Sequence, residues 1–345
     1  MTDETEILFE QRGAAGLVTL NRPKALNALT HDMCLKLKAQ LDIWATDASI
    51  KSVAVRGAGD RAFCAGGDIR VLYESGKAKT PYAFDFYRDE YILNVAIKHF
   101  PKPYIAMING IVMGGGVGVS VHGSHRVANE NVTFAMPETG IGLFPDVGGS
   151  YFLPRCPGQI GMYLALTGAR FKTADSLYAG VATHFVPSAK WEALIAKLAE
   201  GATPDDALKS LSDTVPGDFL TEHRAVIDRI FAGNSVEEIL AALDTEHTDW
   251  ADDTAKTIRS KSPTSLKVTF RQIREGATKD FDDCMRMEWR MVNRIIAGHD
   301  FYEGVRATIL DKDGAPKWNP ADLQHVGEAA VAAYFAPLDN KELPL

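Results

Sequence analysis

Residues 103–118 read Pro103-Tyr104-Ile105-Ala106-Met107-Ile108-Asn109-Gly110-Ile111-Val112-Met113-Gly114-Gly115-Gly116-Val117-Gly118. From Pro103 through Val112 the stretch reads as a buried strand. Three glycines end that strand and open a helix. The first amides of a helix have no intrahelical acceptor, and the helix dipole adds partial positive charge there. With no Cβ in the way, a carbonyl oxygen can approach those N–H groups. The same glycines also suit close strand–helix packing, so the triplet alone leaves both uses open.

Upstream, residues 58–69 form a polar, Gly-rich loop that includes Ala62-Phe63-Cys64-Ala65-Gly66-Gly67-Asp68. Ala65 through Asp68 offer more backbone donors, or form a plain turn capped by Asp68. Downstream, Met136-Pro137-Glu138-Thr139-Gly140-Ile141-Gly142-Leu143-Phe144-Pro145-Asp146-Val147-Gly148-Gly149 carries two carboxylates eight positions apart. Bare amides from two loops suit a carbonyl oxygen that gains negative charge, and a nearby carboxylate suits the base or nucleophile attacking that carbonyl. Each acid also has a plainer reading. Asp146 fits a helix N-cap, Glu138 a solvated turn, and Glu90 a solvent-facing helix charge.

The surroundings repeat a β-β-α rhythm. Leu17–Asn21, Ser52–Gly57, Arg126–Ala128 and Val132–Ala135 read as strands. Thr30 reads as an N-cap, followed at helical spacing by Met33, Leu37, Leu41 and Trp44. Residues 82–98 read as a helix with Phe84, Tyr87, Tyr91 and Val95 on one side. No GxGxxG loop with an acidic ribose partner accompanies these elements, which argues against a dinucleotide fold. After about residue 200 the chain turns mainly helical, with Ser262-Pro263 as one helix start and helical spacing over Lys279–Ala297. The expected class is α/β (α+β), with a core over residues 1–200 and a helical region over 201–345.

Composition excludes several functions. The 345 residues are 46% hydrophobic and 24% charged, ordinary values for a globular protein, and the net charge of −8 argues against nucleic-acid binding. Cys34, Cys64, Cys156 and Cys284 lack metal-site spacing and read as reduced thiols. The nine histidines are scattered; His122 and His125 read as packing residues, so no metal is expected. The apolar run Tyr104–Gly123 contains Asn109, Ser120, His122 and six glycines, which argues against a membrane span. The acidic start Met1-Thr2-Asp3-Glu4-Thr5-Glu6 has no apolar core. The expected location is cytoplasmic, or mitochondrial for a processed eukaryotic form.

Taken together, the two glycine loops, the Pro137-Glu138 segment and Asn21-Arg22-Pro23-Lys24-Ala25-Leu26-Asn27-Ala28-Leu29 resemble the crotonase (enoyl-CoA hydratase/isomerase) superfamily. Four strings are similar to its 3-hydroxyisobutyryl-CoA hydrolase branch. They are residues 114–123, residues 136–149, Ala179-Gly180-Val181-Ala182-Thr183-His184-Phe185, and Gly298-His299-Asp300-Phe301-Tyr302-Glu303-Gly304-Val305-Arg306-Ala307 with Asp311-Lys312-Asp313 and Pro316-Lys317-Trp318 behind it. The resemblance covers nearly the whole chain.

It implies a spiral of ββα units, with helical residues 201–345 completing the site and self-associating as a trimer or hexamer. It implies hydrolysis of a 3-hydroxyacyl-CoA thioester in valine breakdown, with coenzyme A as part of the substrate and no separate cofactor. The implied oxyanion donors are the backbone N–H groups of Gly67 and Gly115, and the implied catalytic acids are Glu138 and Asp146. Glu90, Gly115, Glu138 and Asp146 fall on substrate-contacting positions. Lys24, Ala25 and Leu26, with Ala65, Gly66, Gly67, Asp68, Ile69 and Arg70, fall along coenzyme A. Lys24 and Arg70 are phosphate partners or merely solvated cations. Hydratases of this superfamily carry a second glutamate three residues after the oxyanion glycine, where this chain has Gly118. Hydration needs one group for water and one for the proton, so enoyl-CoA hydratase or isomerase activity is the alternative, ahead of a catalytically silent binding protein.

Overall fold

The computed structural model describes residues 5–215 and 219–345. The backbone forms two compact units. One is Met1–Asp68, Ile92–Ala135 and Arg170–Thr221; the other is Ile69–Tyr91, Met136–Ala169 and Glu222–Leu345.

The first unit holds strands β1 (Ile7–Arg12), β2 (Ala15–Leu20), β3 (Ser52–Gly57), β4 (Ala62–Cys64), β5 (Tyr104–Ile108), β6 (Ile111–Met113), β7 (His125–Ala128), β8 (Thr133–Ala135) and β9 (His184–Phe185). They make a six-stranded sheet in the order β1-β2-β3-β5-β7-β9 and a three-stranded sheet in the order β4-β6-β8. Only β1 and β2 pair antiparallel; the other pairs are parallel. In each successive pair, β3 and β4, β5 and β6, β7 and β8, the first strand joins the large sheet and the second the small one. Every repeat thus adds one parallel strand to both sheets, which is the expected spiral of ββα units.

Two expectations need correction. Pro103 through Val112 is two strands in different sheets, not one. The break is Asn109-Gly110, where Gly110 takes φ +62° and a Cβ would run into the Arg61 carbonyl. Both halves are largely buried, so apolar character alone hides the turn. Asn129 Nδ2 donates to Asn109 Oδ1 at 2.9 Å and Asn109 Nδ2 to the Asp60 carbonyl at 3.3 Å, tying the equivalent turns of neighbouring repeats together. The loop 58–69 contains β4 within it. Strand β1, unread in the sequence, is an edge strand in which only Ile7 is buried, so it lacks a strong apolar signal.

One face of the large sheet (Leu17, Ala54, Ile105, Met107 and Val127) packs with Leu194, Ile195, Leu198 and Leu208 in the same core. Helix His31–Thr46 begins as expected: Thr30 Oγ1 accepts the Met33 N–H at 3.3 Å, and Met33, Leu37, Leu41 and Trp44 are buried.

The second unit is helical among its described residues. It includes helix Ile69–Ala78, residues 82–91 of helix Tyr82–Lys98, helix Ile160–Thr167, and later helices among them Pro263–Gly276 and Phe281–Ile295. Ser262 and Asp280 cap the last two. Phe84 is 37% exposed. The buried side of residues 82–91 is instead Ala83, Phe86, Tyr87, Glu90 and Tyr91.

Gly110 and Gly314 share φ +62°, but nothing lies near a Cβ added at Gly314. A left-handed alanine costs about 1–3 kcal/mol at either position. Gly110→Ala must also displace the Arg61 carbonyl, so its thermal midpoint falls further than that of Gly314→Ala; equal midpoints in parallel melts would reject this account of the turn.

Candidate active site

The first unit supplies backbone amides. Beyond β4 the chain pairs with Leu29: the Leu29 N–H donates to the Gly66 carbonyl at 2.8 Å and the Asp68 N–H donates to the Leu29 carbonyl at 3.0 Å. A parallel bridge of this kind uses the groups of the residues on either side, so the Gly67 N–H stands outside it. Gly66 has φ +112°, and a Cβ there would lie 3.6 Å from Gly114 Cα and 3.7 Å from the Gly115 nitrogen. The two glycine loops therefore run side by side. Helix Gly115–Gly118 is one buried turn, pressed on β4 so closely that a Cβ at Gly116 would run into the Cys64 carbonyl. Gly115 opens the helix, so its N–H has no acceptor within it. Gly118 closes that turn without a side chain to offer.

The segment Asn21–Leu29 is laced to the same loop. The Ala65 N–H donates to the Leu26 carbonyl at 3.0 Å, and Asn27 Nδ2 donates to the Ala62 carbonyl at 2.8 Å. Asp68 pairs with Arg22 at 3.1 Å, and Arg22 also pairs with Glu6 at 3.0 Å. Lys24 and Ala25 are exposed on the turn Pro23–Ala25. Lys24, Ala25, Leu26 and Ala65 through Asp68 thus gather in one unit, whereas Ile69 and Arg70 open helix Ile69–Ala78 in the other.

The second unit supplies carboxyl groups. Glu138 begins the turn Glu138–Ile141 and is only 5% exposed, so the solvated reading fails. Asp146 is 3% exposed and accepts the Tyr91 hydroxyl at 2.9 Å. It does not cap the helix Gly149–Phe152, whose N-cap is Gly148. Capping falls to Glu288, which accepts the Gly148 N–H at 2.8 Å, the Ser150 N–H at 2.9 Å and the Ser150 hydroxyl. Glu90 is 2% exposed, not a surface charge, and its Oε1 accepts no hydrogen bond among the described residues. Tyr91 and Glu288 escape sequence reading. Tyr91 looks like packing on an apolar helix face, and Glu288 lies 138 residues beyond Ser150. Among the described residues no cluster of His, Cys, Asp and Glu is arranged to hold a metal ion, and no helix is long and apolar enough to cross a membrane.

Residues 15–335 match the family model described as Enoyl-CoA hydratase/isomerase. The chain belongs to that family. Among curated relatives, the mitochondrial 3-hydroxyisobutyryl-CoA hydrolase of Danio rerio is 50% identical over 351 residues, covering 99% of this chain and 92% of the relative. The protein of the same description from Homo sapiens is 47% identical, covering 98% and 90%. Among solved structures, a carnitinyl-CoA dehydratase from Mycobacterium thermoresistibile superposes with TM-score 0.94 at 42% identity, covering 99% of both chains. An enoyl-CoA hydratase from Rhodobacter sphaeroides does so with TM-score 0.93 at 40% identity, covering 99% and 100%.

In this member of the enoyl-CoA hydratase/isomerase family the carboxyl groups perturb one another. Burial pushes Asp146 up to about 7, opposed by the Tyr91 hydrogen bond. Burial pushes Glu288 up to about 8; the bonds from Ser150 and Gly148 oppose it and the charge of Asp146 reinforces it. Glu90 is raised well above the carboxylate range by burial and then by Asp146 and Glu288. Of these groups Asp146 and Glu288 fall near neutrality, where a group best serves as acid or base.

The Tyr91 hydroxyl bonds the charged form of Asp146 and so favours ionisation. A hydrogen bond to a charged group contributes about 1.5–3 kcal/mol, and 1.36 kcal/mol is one pKa unit. In Tyr91→Phe the Asp146 carboxyl should titrate roughly 1–2 units higher. The carboxyl ¹³C shift of labelled aspartate, assigned against Asp146→Asn, reads this directly, and an unmoved titration counts against the bond.

Proposed function

We propose that this chain hydrolyses a 3-hydroxyacyl-CoA thioester, converting 3-hydroxyisobutyryl-CoA and water to 3-hydroxyisobutyrate and coenzyme A. The observation that carries this reading is identity of 47–50% over 98–100% of the chain to relatives named as 3-hydroxyisobutyryl-CoA hydrolases. The solved structures titled as a dehydratase and a hydratase are less similar, at 42% and 40%. Gly118 adds a chemical reason to prefer hydrolysis. It stands where the hydratase pattern needs a second glutamate, and addition of water to a double bond needs two acid–base groups.

In the proposed mechanism the amides of Gly67 and Gly115 bind the thioester oxygen and stabilise the tetrahedral anion. One such donor is typically worth about 2.7–4 kcal/mol of barrier. Glu138 either attacks the carbonyl carbon, giving a mixed anhydride that water then opens, or takes a proton from the water that attacks. Either way the C–S bond breaks with its electron pair on sulfur. A thiol with a pKa of about 8.5 leaves readily at neutral pH, so strong acid assistance is unnecessary. Asp146 holds the substrate 3-hydroxyl or assists proton transfer, supported by Glu90. A buried carboxyl group left unpaired by an analogue without that hydroxyl penalises the analogue. Lys24 and Arg70 are the proposed phosphate partners of coenzyme A.

A panel of acyl-CoA thioesters followed by thiol release tests the reading. 3-Hydroxyisobutyryl-CoA and 3-hydroxypropionyl-CoA should be cleaved, isobutyryl-CoA poorly, and Glu138→Gln should lose about 10²–10⁴-fold in kcat. Comparable turnover of isobutyryl-CoA would remove the role given to Asp146. Crotonyl-CoA should keep its ultraviolet absorbance in the same preparation; its steady loss would favour the hydratase alternative.

A further inference from the structure

Glu288 is fully buried on helix Phe281–Ile295 and takes no part in the steps above. Its two oxygens accept three donors, all on Gly148 and Ser150, two and four residues beyond Asp146. On the other side, Gln272 Nε2 donates to the Pro145 carbonyl at 2.6 Å. The segment between bends through two consecutive left-handed residues, Val147 at φ +49° and Gly148 at φ +87°. A β-branched residue at positive φ is rare and persists only where its surroundings over-determine it. The loop that carries Asp146 is therefore held from outside, at residue 145 by an amide and at residues 148 and 150 by a carboxylate. We infer that Glu288 is a positioning residue for Asp146: by clamping the backbone just beyond it, Glu288 fixes where the Asp146 side chain meets the substrate hydroxyl. The inference rests on the hydrolase reading for what Asp146 binds.

A carboxylate suits this clamp because it only accepts hydrogen bonds. Three donors converge on it, and a glutamine would turn its own NH₂ toward one of them. The choice also brings a second charge to the cluster. Asp146 raises Glu288, and Glu288 raises Glu90 and Tyr91. The other titratable groups of the cluster are Tyr87, which senses Asp146, Glu90 and Glu138, and Cys284 on the helix of Glu288. Burial pushes Cys284 up to about 12, so it stays neutral, and the cations that it senses are Arg155 and Lys279.

The test compares wild type with Glu288→Gln and Ser150→Ala in the full chain. In Glu288→Gln, kcat/KM for 3-hydroxyisobutyryl-CoA should fall about tenfold or more relative to isobutyryl-CoA, because discrimination by the hydroxyl is lost. A displaced Asp146 also changes its bond with Tyr91, so its carboxyl titration should move. Ser150→Ala, which removes one donor, should lose part of the discrimination. The carboxyl ¹³C titration of Asp146 reports that displacement without activity. If Glu288→Gln only lowers the melting temperature and keeps both the discrimination and the titration of Asp146, Glu288 is a structural cap and the inference is overturned. If Glu288→Gln does not fold, unchanged discrimination in Ser150→Ala overturns it. A wild type inert toward every 3-hydroxyacyl-CoA sinks the hydrolase reading instead, with the ¹³C titration still deciding whether Glu288 acts on Asp146.

Discussion

Burying a carboxylate is expensive, and the second unit buries five among its described residues: Glu90, Glu138, Asp146, Glu288 and Asp300. Each must be hydrogen-bonded, paired or protonated. Different answers apply to different members. Glu288 is compensated by three donors from the start of one short helix, Asp146 by one phenol, and the Oε1 of Glu90 by none among the described residues. Burial accordingly holds Glu90, Asp146 and Glu288 above the ordinary carboxylate range.

The first unit solves a different problem with backbone alone. Its repeats place one strand in each of two sheets, so each repeat must turn sharply between them, and glycine or asparagine occupies those turns. A similar closeness leaves Gly116 no room for a Cβ against the Cys64 carbonyl, and Gly66 takes φ +112°. Backbone amides then stand where a side chain would otherwise cover them. Sheet pairing and one buried turn of helix fix these amides in place. Preorganisation of this type is what makes amide donors effective in catalysis.

Local signals were legible wherever one segment carries its own reason. Helix Tyr82–Lys98, the Thr30 cap, strand β3 and the two glycine loops all follow from spacing or from a single residue type. The legibility fails where the reason is distant or uniform. Asn109-Gly110 was submerged in an apolar run because the residues on both sides are largely buried, although the dipeptide itself is a turn signal. Phe84 was placed on the buried side because an aromatic residue at helical spacing looks like core, yet Glu90 is the one enclosed there. Asp146 was a fair candidate cap by position, and only the approach of Glu288 from far along the chain shows why it is not needed for that task. Carboxylate burial in general was invisible, since nothing in a local window says which polar residue will be enclosed by later helices.

The same fold supports more than one chemistry, and this chain shows how little backbone has to change. Its relatives among solved structures, titled as a dehydratase and a hydratase, superpose with TM-scores of 0.94 and 0.93, so backbone path cannot separate addition of water from cleavage by water. Both reactions begin with polarisation of a thioester carbonyl. They diverge in the acids that surround it. Addition to a double bond must deliver a proton to carbon, whereas cleavage expels a thiolate that needs little help. Position 118 of the amide-bearing turn is a glycine and offers no acid, while Asp146, bonded by Tyr91, is a buried carboxyl group of another element.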